Sequence, residues 1–268
     1  MKTGLWKAMF SQPGFLVKAR RLRGRGERRM KKGISGSALK WIALLTMLID
    51  HFAAVFYSES WRAGAPLFSF RTYLFLRCVG RLAFPIYCFL LVEGYRHTRS
   101  VGRYLLRLFL FGLLSEVPFD LAFNRAPWDL GYQNVYFTLF LGLLALWLWD
   151  RATRGEPRAC GLPRIALGLL CIALAAVLAH FVETDYAEWG VLTIAAMYLF
   201  RDSEWQRDLF SGCALLLSSP LEAIGFADFG LFHFYNGQRG RQPKYQYYVF
   251  YPAHLLLLVL ASRLMYSV

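Results

Sequence analysis

The stretch Leu39–Ser58, LKWIALLTMLIDHFAAVFYS, decides the fold. At a rise of 1.5 Å per residue, about 20 mainly apolar residues cross the hydrocarbon of a bilayer, and this run has that length. A cleaved secretory signal needs a plain apolar centre and a small-residue cleavage site. Here Asp50-His51 stands in the middle, so the run reads as a signal-anchor helix that stays in the membrane. Comparable runs follow near 73–95, 101–123, 135–149, 164–182, 187–200 and 247–265. The apolar segment 209–235 is interrupted by Ser218-Ser219-Pro220 and by Gly225, which suits a hairpin of two short passes. The expectation is an all-α, polytopic integral membrane helical bundle of about nine membrane segments, or eight if 209–235 is a single broken pass.

Charge is distributed to match. The chain has 31 Lys+Arg against 17 Asp+Glu, yet only 18% of its residues are charged and 57% are hydrophobic. Eleven of the basic residues and one acid, Glu27, fall in residues 1–38, which read as a basic cytoplasmic arm. Met30-Lys31-Lys32-Gly33 resembles a start, so the part before Met30 is read as optional. Residues 39–268 read as one transmembrane domain. A nucleic-acid-binding domain would be rich in charge throughout, so no nucleic-acid partner is expected. Composition also excludes a disordered chain and an ordinary soluble domain.

Basic loops stay in the cytoplasm. With the N-terminus inside, Arg96, Arg99 and Arg103 share that side with Arg151, Arg154, Arg158 and Arg164, and then with Arg201 and Arg207. Arg239, Arg241 and Lys244 join them only if 209–235 is a hairpin. Trp61, Trp128, Trp147, Trp149, Trp189 and Trp205 fall near the ends of spans, as an interfacial belt requires. Cys78, Cys88, Cys160, Cys171 and Cys213 show neither paired nor metal-ligand spacing, so neither a disulfide framework nor a metal site is expected.

Ionisable side chains inside hydrocarbon are costly and mark function until they are paired off. Lys40 and His51 are eleven residues apart, and eleven steps of about 100° leave an offset of only about 20°, so both lie on one helix stripe. Lys40 would stand at the cytoplasmic mouth and His51 near mid-membrane, where an imidazole can act as general base. Their bland reading is an interface anchor and a helix-packing histidine. Asp50 points about 100° away from His51, so another helix must orient that imidazole. Arg77 and Arg81 share one face of the second span, and Glu116 and Asp120 share one face of the third. These four read as interhelical ion pairs or as the wall of an acceptor cavity, with Glu116 orienting His51. Arg96 and Arg99 beside His97, and Asn236, Arg239 and Lys244 in the turn from Tyr235, are candidates for holding phosphate. His254, about two turns into the last span, is a second candidate for the cavity; His180 and His233 read as structural.

At these residues the sequence resembles the TraX family, bacterial inner-membrane proteins associated with N-terminal acetylation of conjugative pilin. The matching stretches are Ser37-Ala38-Leu39-Lys40 through Met47-Leu48-Ile49-Asp50-His51, Gly80-Arg81-Leu82-Ala83-Phe84-Pro85-Ile86, and Glu93-Gly94-Tyr95 with His97-Thr98. Ser115-Glu116-Val117-Pro118-Phe119-Asp120, Phe137-Thr138-Leu139 and Asp185-Tyr186 follow in order. Tyr235-Asn236-Gly237 with Arg239-Gly240, and Phe250-Tyr251-Pro252-Ala253-His254, complete the set. The family is similar to a broader group of membrane acyltransferases in which a basic residue followed eleven positions later by histidine is a functional signature, which Lys40 and His51 match.

The resemblance implies an acetyltransferase of the bacterial inner membrane, taking acetyl-CoA as co-substrate and a pilin N-terminus or an envelope glycan as acceptor. Its expected site has His51 as base with Asp50 and Glu116 in support. Lys40, Arg96, Arg99, Asn236, Arg239 and Lys244 would hold the donor's phosphates, and Arg77, Arg81, Asp120 and His254 would surround the acceptor. The alternatives are a secondary transporter, for which intramembrane charge is equally natural, and a non-enzymatic membrane partner of a secretion or conjugation assembly.

Overall fold

The computed structural model describes residues 33–155, 157, 160–241 and 245–266. The basic arm before Gly33, Arg158 and Lys244 lie outside the described residues. The elements are α1 (Gly36–Arg62), α2 (Phe70–Gly80), α3 (Ala83–His97), α4 (Val101–Phe123), α5 (Val135–Thr153), α6 (Leu162–Phe181), α7 (Ala187–Leu199) and α8 (Glu204–Ser218). A 3₁₀ turn (Pro220–Gly225), α9 (Phe226–His233) and α10 (Gln246–Tyr266) follow. Among the described residues, five helical stretches are long and apolar enough to cross a membrane: Gly36–Arg62, Phe70–His97, Val135–Thr153, Leu162–Phe181 and Gln246–Tyr266. The 23-residue α4 is as long but carries Arg103, Arg107, Glu116 and Asp120, and α7 is apolar but short. The chain is a multi-pass membrane protein.

Local sequence sets the ends. Ser35, Ser69 and Ser100 each accept a hydrogen bond from a first-turn amide at the start of α1, α2 and α4, and Asn134 does so for α5. Arg154, in a left-handed conformation, closes α5 together with Gly155. The expected second span is one stretch, Phe70–His97, in which the hydrogen bonding tightens into a turn at Arg81-Leu82 between α2 and α3. Gly80, at that turn, meets Asp50 of α1 so closely that a Cβ would lie 2.2 Å from the Asp50 side chain.

The segment 209–235 forms a hairpin. Helix α8 ends at Ser219, whose hydroxyl caps the following 3₁₀ turn, and α9 returns until His233 bonds to Asp208 (2.7 Å) and Glu204 (3.2 Å) at the start of α8. This return lets α10 run parallel to α1. Lys40 sits over the Tyr247 ring, His51 meets His254, and Phe56 meets Tyr266. A single pass through 209–235 would have made α1 and α10 antiparallel.

Polar side chains are buried within the largely apolar core. Thr138, Asn134, Ser115, Glu116, Asp120, Glu222 and Asp228 are buried, whereas Leu162, Leu170, Leu174, Val177 and Phe181 of α6 face outward. An apolar outer stripe of that length suits lipid rather than water. Trp61, Trp128 and Trp205 are exposed near helix ends. Trp149 departs from the expected belt: it is buried, packed against the Cα of Gly168 in the close α5–α6 contact.

Candidate functional site

Three groups of side chains lie along α1, the first and third against α10 and the second against α2 and the 3₁₀ turn. The first is at the Lys40 end. Ile34 and Tyr235 form an isolated parallel bridge, and Gly36 N–H donates to the Gln238 carbonyl at 2.8 Å, so the 234–240 turn is laced to the start of α1. Gly237 and Gly240 have φ of 72° and 70°, and a Cβ on Gly240 would collide with Ser37. Asn236 builds this turn: one side-chain N–H donates to the Gly33 carbonyl and the side-chain oxygen accepts from Gln238 N–H.

Lys40 Nζ stands 4.9 Å from the Tyr247 ring centroid, with Arg239 in electrostatic reach. Arg96 holds Glu93 at 2.7 Å and stands close to Tyr235, where burial and the Glu93 carboxylate raise the phenol pKa while Arg96 opposes them. The fold therefore gathers Lys40, Arg96 and Arg239 at one end, while Arg99 is exposed on the connection to α4.

The second group is a charge network. Arg77 Nη1 donates to Asp50 at 2.5 Å, and Arg81 Nη2 donates to both Asp50 oxygens at 3.0 and 3.1 Å. Arg81 Nη1 reaches Glu222 at 3.1 Å. The expected pairing of these arginines with Glu116 and Asp120 is corrected here. The Glu116 carboxylate instead accepts from the backbone and side-chain amides of Asn134, fixing the start of α5. Asp120 accepts from Asn124 and from Asp129 N–H, holding the 124–134 loop. Neither carboxylate reaches His51. Asp50 also leaves the imidazole alone and serves the arginines. Helical periodicity put each pair on one face, but it was silent on which helices are neighbours.

His51 itself forms the third group. Its Nδ1 lies 2.7 Å from Nε2 of His254, and the two rings stack with centroids 4.9 Å apart and 5° between planes. His254 Nδ1 lies 2.7 Å from the Phe250 carbonyl. A carbonyl only accepts, so His254 Nδ1 carries the proton and, in the neutral ring, its Nε2 is an acceptor. His51 Nδ1 must then be the donor, which leaves the lone pair on His51 Nε2. That tautomer is the one a base requires.

His51 opens on a cavity of about 340 Å³ that also touches Asp50, Arg77, Arg81, Tyr132, Asp185, Tyr186 and Tyr251. Its floor comes from two loops bridged at Gln133 and Thr184, with Asp185 N–H donating to the Gln133 carbonyl at 2.8 Å. Glu183, Tyr186 and Ala187 adopt positive φ around Asp185, a strained backbone held by these contacts. Tyr132 donates to Asp185 at 2.8 Å. Burial raises the Asp185 carboxyl pKa, against the Tyr132 hydroxyl and the two arginines, and the nearby Asp185 charge in turn raises the Tyr132 phenol.

Tyr132 and Glu222 were not singled out by the sequence, and Gly80 and Asp185-Tyr186 entered only through the resemblance. Glu222 had a readable signal, since it is an acid within an apolar run, the same mark that drew attention to Glu116. His180 and His233, read as structural, carry carboxylate partners in Glu188 and in Asp208 with Glu204.

The family model described as TraX protein matches residues 35–262. A probable fimbrial assembly protein FimC, serogroup H1, of Dichelobacter nodosus is 34% identical over 254 residues, covering 87% of this chain and 98% of that protein. No solved structure matches. With a family match running from the cap of α1 nearly to the end of α10, the chain belongs to the TraX family.

Proposed function

We propose that this protein is an acetyltransferase of the bacterial inner membrane, moving acetyl from cytoplasmic acetyl-CoA to an acceptor in the His51 cavity. The observation that carries this reading is the His51–His254–Phe250 hydrogen-bond chain, which leaves a basic nitrogen facing a polar cavity inside an apolar bundle. The family and the fimbrial-assembly relative favour a pilin N-terminus as acceptor, and an envelope-glycan hydroxyl is the other acceptor of the same chemistry.

Donor phosphates meet Lys40, Arg96 and Arg239, the cations gathered at the start of α1. The acceptor N–H or O–H gives its proton to His51 Nε2 as its heteroatom attacks the thioester carbon. The resulting imidazolium keeps its Nδ1–H on His254. Arg77, which donates one hydrogen bond to Asp50 and lines the cavity, supplies N–H donors for the tetrahedral oxyanion. Collapse breaks the carbon–sulfur bond, and the proton on His51 passes to the departing thiolate. In the cavity wall two carboxylates, Asp50 and Asp185, stand beside Arg77 and Arg81.

The test is thiol release by purified full-length protein with acetyl-CoA and either an amine-bearing pilin peptide or a glycan acceptor. Product that depends on acetyl-CoA and vanishes in His51→Ala supports the reading. Full product formation by His51→Ala, or solute movement in proteoliposomes without any thiol release, sinks it.

A further inference from the structure

We propose that Tyr247 binds the pantetheine arm of the acyl donor, its phenol hydrogen-bonding one of the arm's amides. The proposal rests on the acetyl-CoA reading above and adds a ligand contact to it. Tyr247 stands in the first turn of α10, and its hydroxyl is buried without a hydrogen-bond partner among the described residues. Buried polar groups are nearly always satisfied, and an orphaned phenol inside a membrane protein points to a partner supplied from elsewhere.

Its position says what that partner is. The Lys40 ammonium lies 4.9 Å from the ring centroid and the Trp41 ring meets it edge-on at 6.3 Å, so Tyr247 borders the cationic mouth. Tyr247, Tyr251 and His254 follow at i, i+4 and i+7 and share one face of α10. Tyr251 lines the cavity and His254 holds the base. Tyr87, in electrostatic reach of Tyr247, lines the same cavity.

The phenol therefore stands between the cations that suit phosphate and the base that suits the thioester. From Tyr247 to His254 the helix rises about 10 Å. A donor whose phosphates and acyl group are joined by a long, amide-bearing arm bridges that gap. It also needs a hydrogen bond for the amide it desolvates on the way. A donor without such an arm would leave the Tyr247 hydroxyl unsatisfied.

Tyr247→Phe keeps the ring under Lys40 and removes only the hydroxyl. Two probes bound to the full-length protein in detergent separate the possibilities: desulfo-CoA, which has the arm but no thiol, and adenosine 3′,5′-bisphosphate, which has the phosphates but no arm. One lost hydrogen bond corresponds to roughly fivefold to tenfold weaker desulfo-CoA binding. Nucleotide binding and the melting temperature are expected to stay unchanged. Equal weakening of both probes, or of neither, overturns the assignment of Tyr247. A wild-type protein that binds neither probe overturns the acetyl-CoA reading, and this proposal falls with it.

Discussion

At the scale of single residues, the imidazole pair carries the most consequence. The eleven-residue spacing of Lys40 and His51 was legible in the sequence, and both side chains do meet the same helix, α10. The partner of His51 was not legible, because His254 lies 203 positions away and no local rule joins them. If His51 is the base, His51→Ala should lower acetyl-CoA-dependent turnover by about 10²–10⁴-fold, measured as thiol release. His254→Gln retains an oxygen that can accept from His51 Nδ1, so it should keep more activity than His254→Leu. Equal loss in those two variants would show that the hydrogen bond does not act through the tautomer. Asp50 is a different case. Asp50→Asn leaves Arg77 and Arg81 without their shared carboxylate, at a cost of about 3–5 kcal/mol for breaking a buried pair from one side, read as a fall in Tm.

At the scale of elements, the helix breaks do work that periodicity alone obscures. Pro252 in α10 has no N–H, so it leaves the Tyr248 carbonyl free of its normal helical donor. The Tyr136 hydroxyl takes that carbonyl at 3.2 Å, tying α5 to α10 beside the His254 turn. A double-mutant cycle of Pro252→Ala and Tyr136→Phe should show coupling of about 0.5–1.5 kcal/mol in thermal unfolding, since a backbone N–H at 252 competes for the same oxygen. Additivity would refute that link. Gly80 is the second such point. An alanine there drives a methyl into Asp50, and the expected loss is about 1–3 kcal/mol by overpacking. Turnover should fall with it, because Arg81 begins at the same turn. The sequence announced Pro252 and Gly80 plainly, but it named neither Tyr136 nor Asp50 as the neighbour each one serves.

At the scale of the whole molecule, the parallel setting of α1 and α10 governs topology. If the N-terminus lies inside, as the basic loops are read, a C-terminal fusion should lie outside: alkaline phosphatase active and green fluorescent protein dark. The reverse pattern would contradict either the parallel packing or the orientation read from the loops.

Some of this was fixed by composition and period alone. Apolar runs near the length of a bilayer, set beside a basic arm, leave helices in lipid as the state that satisfies every backbone amide, and the ordered motifs carried the family. Periodicity then assigned each ionisable residue to a face. It left open which faces meet, since pairing between helices depends on breaks and close approaches that are nonlocal. Tertiary structure moved Arg77 and Arg81 onto Asp50 and Glu222, turned Glu116 and Asp120 into anchors for a loop, and gave His51 a histidine instead of a carboxylate. The physical reason is the same in each case: a buried charge or lone pair takes the complementary group that packing brings within about 3 Å, whatever its distance along the chain.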